Sequence, residues 1–452
     1  MTSARRAVVA RRRLAFLVAV LTVGLALPAV LARVRDVQPR HPAATPGAPR
    51  DLASVLRQDL AARAARVAEV STMLEQRARA VTTHNRAGFV ASVDSSQRAF
   101  VARQAALFDA LRAVPLASWT YRVVDGHDRS APARWRAAGV DAWGAQVELR
   151  YRLRGFDTEP ARTLLQLTFV RRNGRWLIGA DDDFAAAGAE SGRDIWDFGP
   201  VAVVRTSHTL VLGPVTRRPL LTRLAAEVET AVPRVTRVWG AWEQRVVVIV
   251  PGSQDQLAAI TGEDGDLSQI AAVSVAELGD AAGGYRPVGN RILVNPANFD
   301  RLRGLGRRVV LTHEVTHVAS RSATGPRTPT WVVEGFADYV GYLGTSITVR
   351  QAASELAHDV RAGRVPARLP ADTLFDGDNA DLAEAYEQAW LACRMVVAQT
   401  SERDLVRFYR AVGSSSADTT ALAVRRALAT VLHTSPESFT RAWRAYLRNQ
   451  LG

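Results

Sequence analysis

The chain has 452 residues, 48% hydrophobic and 23% charged, which excludes a fibrous or wholly disordered protein and leaves room for two or three domains. Its net charge of +14 is carried by arginine, since no lysine occurs; no arginine cluster interleaves with aromatics at the spacing of an RNA or DNA module, so nucleic acid is not an expected partner. The single cysteine, Cys393, rules out an internal disulfide or a cysteine zinc cluster, and its apolar helical setting suits a buried, inert thiol.

Arg5, Arg6, Arg11, Arg12 and Arg13 precede an uncharged run from Leu14 to Ala32 that is just long enough to span a bilayer. Basic flanks stay in the cytoplasm, so residues 1–33 read as a membrane anchor with the rest of the chain outside it. The alternative is a cleaved signal peptide ending at Val30-Leu31-Ala32. Pro39, Pro42, Pro46 and Pro49 make residues 34–50 an extended linker.

Residues 51–190 read as an α+β module. Leu52, Val55, Leu56, Leu60, Val67, Val70 and Leu74 recur near the helical period over 51–81. A second helix is expected over 85–112, with Phe89, Val93, Phe100, Leu107 and Leu111. Val147, Leu149, Tyr151 and Leu153 alternate with polar residues, as in a half-buried strand. Another strand covers 163–171, and Asn173-Gly174 turns it into a third at 175–179. This order of elements and the N-G-R-W hairpin resemble the cone-shaped NTF2-like domains. His84 and His127 read as surface residues, and Asp181-Asp182-Asp183 as a solvated turn.

Residues 191–452 begin with short strands at 201–205 and 209–212. A helix over 220–239, a buried strand over 245–250 and a short helix over 254–260 follow. Gly283-Gly284 and Gly289-Asn290 bracket a hairpin whose return strand is 291–294. Beyond Tyr339 the chain reads as helices over 345–362, 380–399, 402–413, 418–432 and 436–449. Asp376, Asp378 and Asp381 suit capping before the second of these. His358 and His433 read as exposed helix residues.

Between the hairpin and those helices lies LTHEVTHVASRSATGPRTPTWVVEGFADY, residues 311–339. His313 and His317 are four apart, so on a helix both imidazoles face one side and reach one metal ion. Ser322, Gly325, Pro326 and Pro329 break the pattern as a loop would. A second helix from about Trp331 carries Glu334 and Asp338, with Gly335 and Ala337 small enough for another backbone to approach. Catalytic zinc takes three protein ligands and keeps a fourth position open. His313, His317 and Glu334 fit as ligands. Asp338 would hold a ligand imidazole in its tautomer. Glu314 would be the general base for a zinc-activated water.

H-E-x-x-H followed by W-x-x-E-G-x-A-D-Y resembles the gluzincin metallopeptidases, and within them the peptidase MA-like group. The resemblance implies zinc as cofactor, a peptide or protein substrate, and a zincin domain with a small sheet, an active-site helix and an all-helical carboxy-terminal lobe. It implies that the strand before the zinc helix, here Arg291–Asn295, lies along the cleft and pairs with extended peptide. It also places a tyrosine near the metal, here Tyr386, to stabilise the oxyanion. No G-A-M-E-N-type segment is present, so exopeptidase action is not expected. The whole reads as a membrane-anchored, extracytoplasmic zinc metallopeptidase; the rival is a zinc-containing binding or scaffold protein without proteolytic activity. With an uncleaved anchor, the protein stays in the membrane fraction at full mass; soluble protein beginning at Arg33 would establish a cleaved signal peptide.

Overall fold

The computed structural model describes residues 52–262, 271–278, 287–376 and 379–452. The expected anchor, the linker, Gly283-Gly284 and Asp378 lie outside the described residues. Among the described residues, no helix is long and apolar enough to cross a membrane. The chain divides into two compact units, with the division between Val201 and Ala202.

The first unit runs through α1 (Leu52–Thr82), α2 (Arg86–Val90), α3 (Arg98–Leu111), β1 (Leu116–Arg129), α4 (Ala133–Ala137), β2 (Ala142–Leu153), β3 (Ala161–Arg172) and β4 (Arg175–Ala180). Its four strands form an antiparallel meander in the order β1-β2-β3-β4. Asn173 and Gly174 both take positive φ, 49° and 77°, as a two-residue hairpin turn requires. Val70 and Leu74 of α1 pack with Trp143, Val147, Phe169 and Ile178 of the sheet into one apolar cluster.

The helix expected over 85–112 is two helices. Between them the chain joins the sheet: Asp94 N–H donates to the Ile178 carbonyl (2.9 Å) and Ile178 N–H to the Ser92 carbonyl (2.9 Å). The run Ser92, Asp94, Ser95, Ser96 carries the turn chemistry that ends a helix. Of the Asp181–Asp183 run, expected as a solvated turn, only Asp182 is exposed. Asp181 is buried and accepts from Arg193 at 2.6 Å, and Asp183 accepts from Arg134 at 2.5 Å and from the Trp135 indole at 2.8 Å. These carboxylates replace lost hydration with arginine partners, as burial demands.

The second unit holds β5 (Val201–Arg205), β6 (Thr209–Pro214), α5 (Arg218–Trp239), β7 (Val246–Ile249), α6 (Gln254–Thr261), β8 (Ala272–Leu278) and β9 (Pro287–Val294). The sheet order is β5-β6-β7-β9-β8; β6, β7 and β9 run parallel, and β8 pairs antiparallel to β9. This order corrects one expectation. β9, which contains Arg291–Val294, is an interior strand with a neighbour on each side, so it has no free edge for a peptide; β8 is the end strand. Gly289-Asn290 is not a turn but part of β9. Gly289 takes φ 62°, and the pairing shifts by one residue there, so the strand carries a bulge.

After the sheet come α7 (Pro296–Phe299), α8 (Gly304–Ser320) and α9 (Thr330–Tyr342). A helical lobe completes the unit: α10 (Val349–Ala352), α11 (Ser354–Arg361), α12 (Leu382–Gln399), α13 (Glu402–Gly413), α14 (Thr420–Val431) and α15 (Pro436–Leu451). Asp381 precedes α12 but makes no side-chain cap. α5 turns Leu221, Leu224, Val228, Val232 and Val235 inward and packs on α8. Both α8 and α9 are buried along most of their length, so neither shows an amphipathic stripe.

α9 sits between α8 and α12. The loop 321–329 supplies no side-chain cap for α9; Asp372 does so from afar, accepting the Thr330 N–H at 2.8 Å. Glycine permits the close approach on both sides. A Cβ on Gly335 would lie 2.3 Å from the Ala389 carbonyl oxygen of α12, and one on Gly341 would lie 3.1 Å from the Val309 carbonyl oxygen of α8. Gly335→Ala is therefore expected to lower stability by about 1–3 kcal/mol, since backbone must shift to admit the methyl. Urea unfolding checks this; an unchanged midpoint would show that α9 and α12 separate freely.

Candidate metal centre

α8 presents His313, Glu314 and His317, and α9 presents Glu334 and Asp338. All five are buried, with His313, Glu314 and Glu334 fully so. One donor atom from each of His313, His317 and Glu334 lies within 4.8 Å of the other two. The two Nε2 atoms are 2.8 Å apart, and a Glu334 carboxylate oxygen lies 3.3 Å from the first and 3.4 Å from the second. Asp338 reaches the far side of the first ring, 2.8 Å from His313 Nδ1. With Nδ1–H donating to Asp338, the Nε2 lone pair points at the cluster.

The cluster is poorly satisfied by protein alone. Neither Glu334 oxygen has a hydrogen bond of ordinary geometry, although the residue is fully buried. Leaving a carboxylate so is costly. Two imidazoles and one carboxylate converging on a point form the donor set that suits zinc, with a coordination position left over. The residues present therefore fit a zinc ion.

Electrostatics set the protonation of each group. Burial opposes ionising Glu334, but the two histidines outweigh it and hold its carboxyl down at about 2. Burial likewise opposes charging His313, yet Asp338 and Glu334 raise it to about 10. Burial takes His317 down to about 4. Without metal, His313 is thus the ring that holds the extra proton, and metal binding must displace it. Burial pushes Glu314 up to about 8, with Glu334 adding repulsion. Neither Glu314 oxygen has a hydrogen bond of ordinary geometry.

No protein-family model matches the chain, and no curated protein matches it. Solved structures similar to it include the following three. A yeast LTA4 hydrolase in complex with bestatin is 15% identical, over 56% of this chain and 40% of that one, with a TM-score of 0.31. A mutant two-domain M1 zinc metallopeptidase bound to L-arginine is 12% identical over 74% of this chain and 71% of that one, with a TM-score of 0.33. An M1 zinc metallopeptidase mutant from Deinococcus radiodurans, bound to a Tyr-Ser-Ala substrate, is 12% identical over 74% and 70%, with a TM-score of 0.29. Overlap this loose transfers neither residues nor activity.

The sequence-derived set is brought together: His313, Glu314, His317, Glu334 and Asp338 share one buried site. Tyr386, in the second turn of α12, is buried with its ring centroid 6.4 Å from that of His313 and packed edge-on against Phe375. His84, His127, His358 and His433 are exposed. Two residues were missed. Arg321 is buried and donates through Nη2 to the Ser274 carbonyl (2.7 Å) and hydroxyl (2.6 Å). Arg321 follows His317 by four residues, a spacing that places it on the ligand face of the helix. Ser274 carries no sequence signal.

Purified protein is expected to hold one zinc per chain, and His313→Ala or His317→Ala to lose most of it. Asp338→Ala should weaken zinc binding by roughly 10–100-fold, the usual cost of losing a ligand's supporting partner. Full zinc occupancy in His313→Ala by atomic emission, or an unchanged dissociation constant in Asp338→Ala, would refute these roles.

Proposed function

We propose that the second unit is a zinc metallopeptidase of the gluzincin kind, acting on peptide or protein substrates. The observation that carries this reading is Glu314: a fully buried carboxylate, without a hydrogen bond of ordinary geometry, one residue from His313 in a cluster suited to zinc. A carboxylate held at such depth beside a metal site suits a group that handles a proton.

His313, His317 and Glu334 would hold a zinc ion, which when bound would supply Lewis acidity and a nucleophilic water near neutral pH. Glu314 takes the proton of the attacking water and hands it to the leaving amine. Asp338 holds His313 in the tautomer that points Nε2 inward. Tyr386 stands beside His313, where its phenol would donate to the developing oxyanion. Burial of the site strengthens each of these interactions by excluding water.

The reading extends to the whole chain: an anchor over 1–33, a linker over 34–50, an NTF2-like module over 51–190 and the peptidase domain over 191–452, outside the cytoplasm. The basic flank and apolar run support the anchor. The helices and four-stranded meander of the first unit support the module.

Glu314→Gln tests the mechanism, because it keeps shape and removes the base. Zinc content and thermal stability are expected to stay unchanged while casein hydrolysis falls by about 10²–10⁴-fold. Chelator-sensitive cleavage that persists undiminished in Glu314→Gln would overturn the role of the base. A zinc-loaded wild type that cleaves no member of a mixed peptide library would favour a binding protein.

A further inference from the structure

We propose that Arg321 is a positioning residue for this reaction: it pins strand β8 to the metal-site helix and balances the charge of the site. The inference rests on the peptidase reading above. Arg321 closes α8, its backbone N–H donating to the His317 carbonyl, so it shares a helical turn with a metal ligand. Its side chain crosses to the sheet, where a single nitrogen, Nη2, donates to both the carbonyl and the hydroxyl of Ser274. Ser274 is fully buried in the middle of β8, opposite Ile292 of β9. β8 ends the sheet, so pairing with β9 holds it on one side only, and the guanidinium fixes it to α8 as well.

Packing alone does not explain an arginine here. A buried guanidinium carries a large desolvation cost that a methionine of similar length would avoid. Its charge is held in the last turn of α8, one turn from His317, by the two bonds to Ser274. Glu314, Glu334 and Asp338 place three carboxylates in the site, and a divalent ion answers two of them. Arg321 answers the third. Its spacing of four residues from His317 repeats the spacing of His317 from His313, so the cation and the two ligand rings share one helix face.

The proposal assigns Arg321 two separable effects, which the full chain with Arg321→Met and Arg321→Lys can distinguish. In Arg321→Met, kcat/KM for a fluorogenic peptide should fall on the order of tenfold to a hundredfold, because a misplaced strand misplaces the substrate. Zinc affinity, measured by competition with a chromogenic chelator, should rise, because a cation that repels the metal is gone. Arg321→Lys should restore both values toward wild type, since both bonds come from one nitrogen and one charge suffices. A residue that only stabilises the fold predicts the opposite sign, with zinc binding weakened together with thermal stability. Wild-type kcat/KM in Arg321→Met, weaker zinc binding in it, or a lysine variant that behaves like methionine would overturn the proposal. If the wild type cleaves no peptide, the peptidase reading falls by itself; the order of zinc affinities, methionine tighter than wild type and lysine, still decides the role of the charge.

Discussion

The close packing of α8 against α9 is the constraint on which the rest of this unit depends. It brings two imidazoles and three carboxylates together with no water-exposed side, and each is tolerable only because the others are there. Glycines at 335 and 341 allow that distance, and Asp372 fixes where α9 begins. α5, α12 and the sheet exclude water around the pair. Loss of one charged partner would leave the others buried and uncompensated, a larger penalty than any single contact in the site would suggest.

Much of this was legible in the sequence because it is local. The H-E-x-x-H spacing fixes the two histidines on a helix face whatever the fold around it. The Pro/Gly-rich loop announces a second helix, and Gly335 beside Glu334 signals a close neighbour, which proves to be the Ala389 carbonyl. What failed was non-local. The order of strands in the second sheet depends on pairings that no stretch of sequence encodes, so β9 was placed at an edge that β8 occupies. Ser274 reaches the site only through that pairing.

The first unit shows the same limit at a smaller scale. β1 went unread although Trp119, Tyr121 and Val123 turn toward the core and Thr120 and Arg122 away from it. Register shifts in its pairing with β2 on both sides limit that alternation to the middle of the strand. The helix over 85–112 kept its apolar period on both sides of a break made by hydrogen bonds to β4. The aspartates at 181 and 183 looked solvated because the arginines that neutralise them come from distant segments.

The central claim is that His313, His317 and Glu334 hold one zinc ion, and X-ray absorption at the zinc edge of the purified protein tests it most directly. The account predicts two imidazole nitrogens at about 2.0–2.1 Å, light oxygen scatterers at about 2.0–2.2 Å, and no sulfur. A sulfur scatterer at about 2.3 Å, or a shell without imidazole, would contradict it.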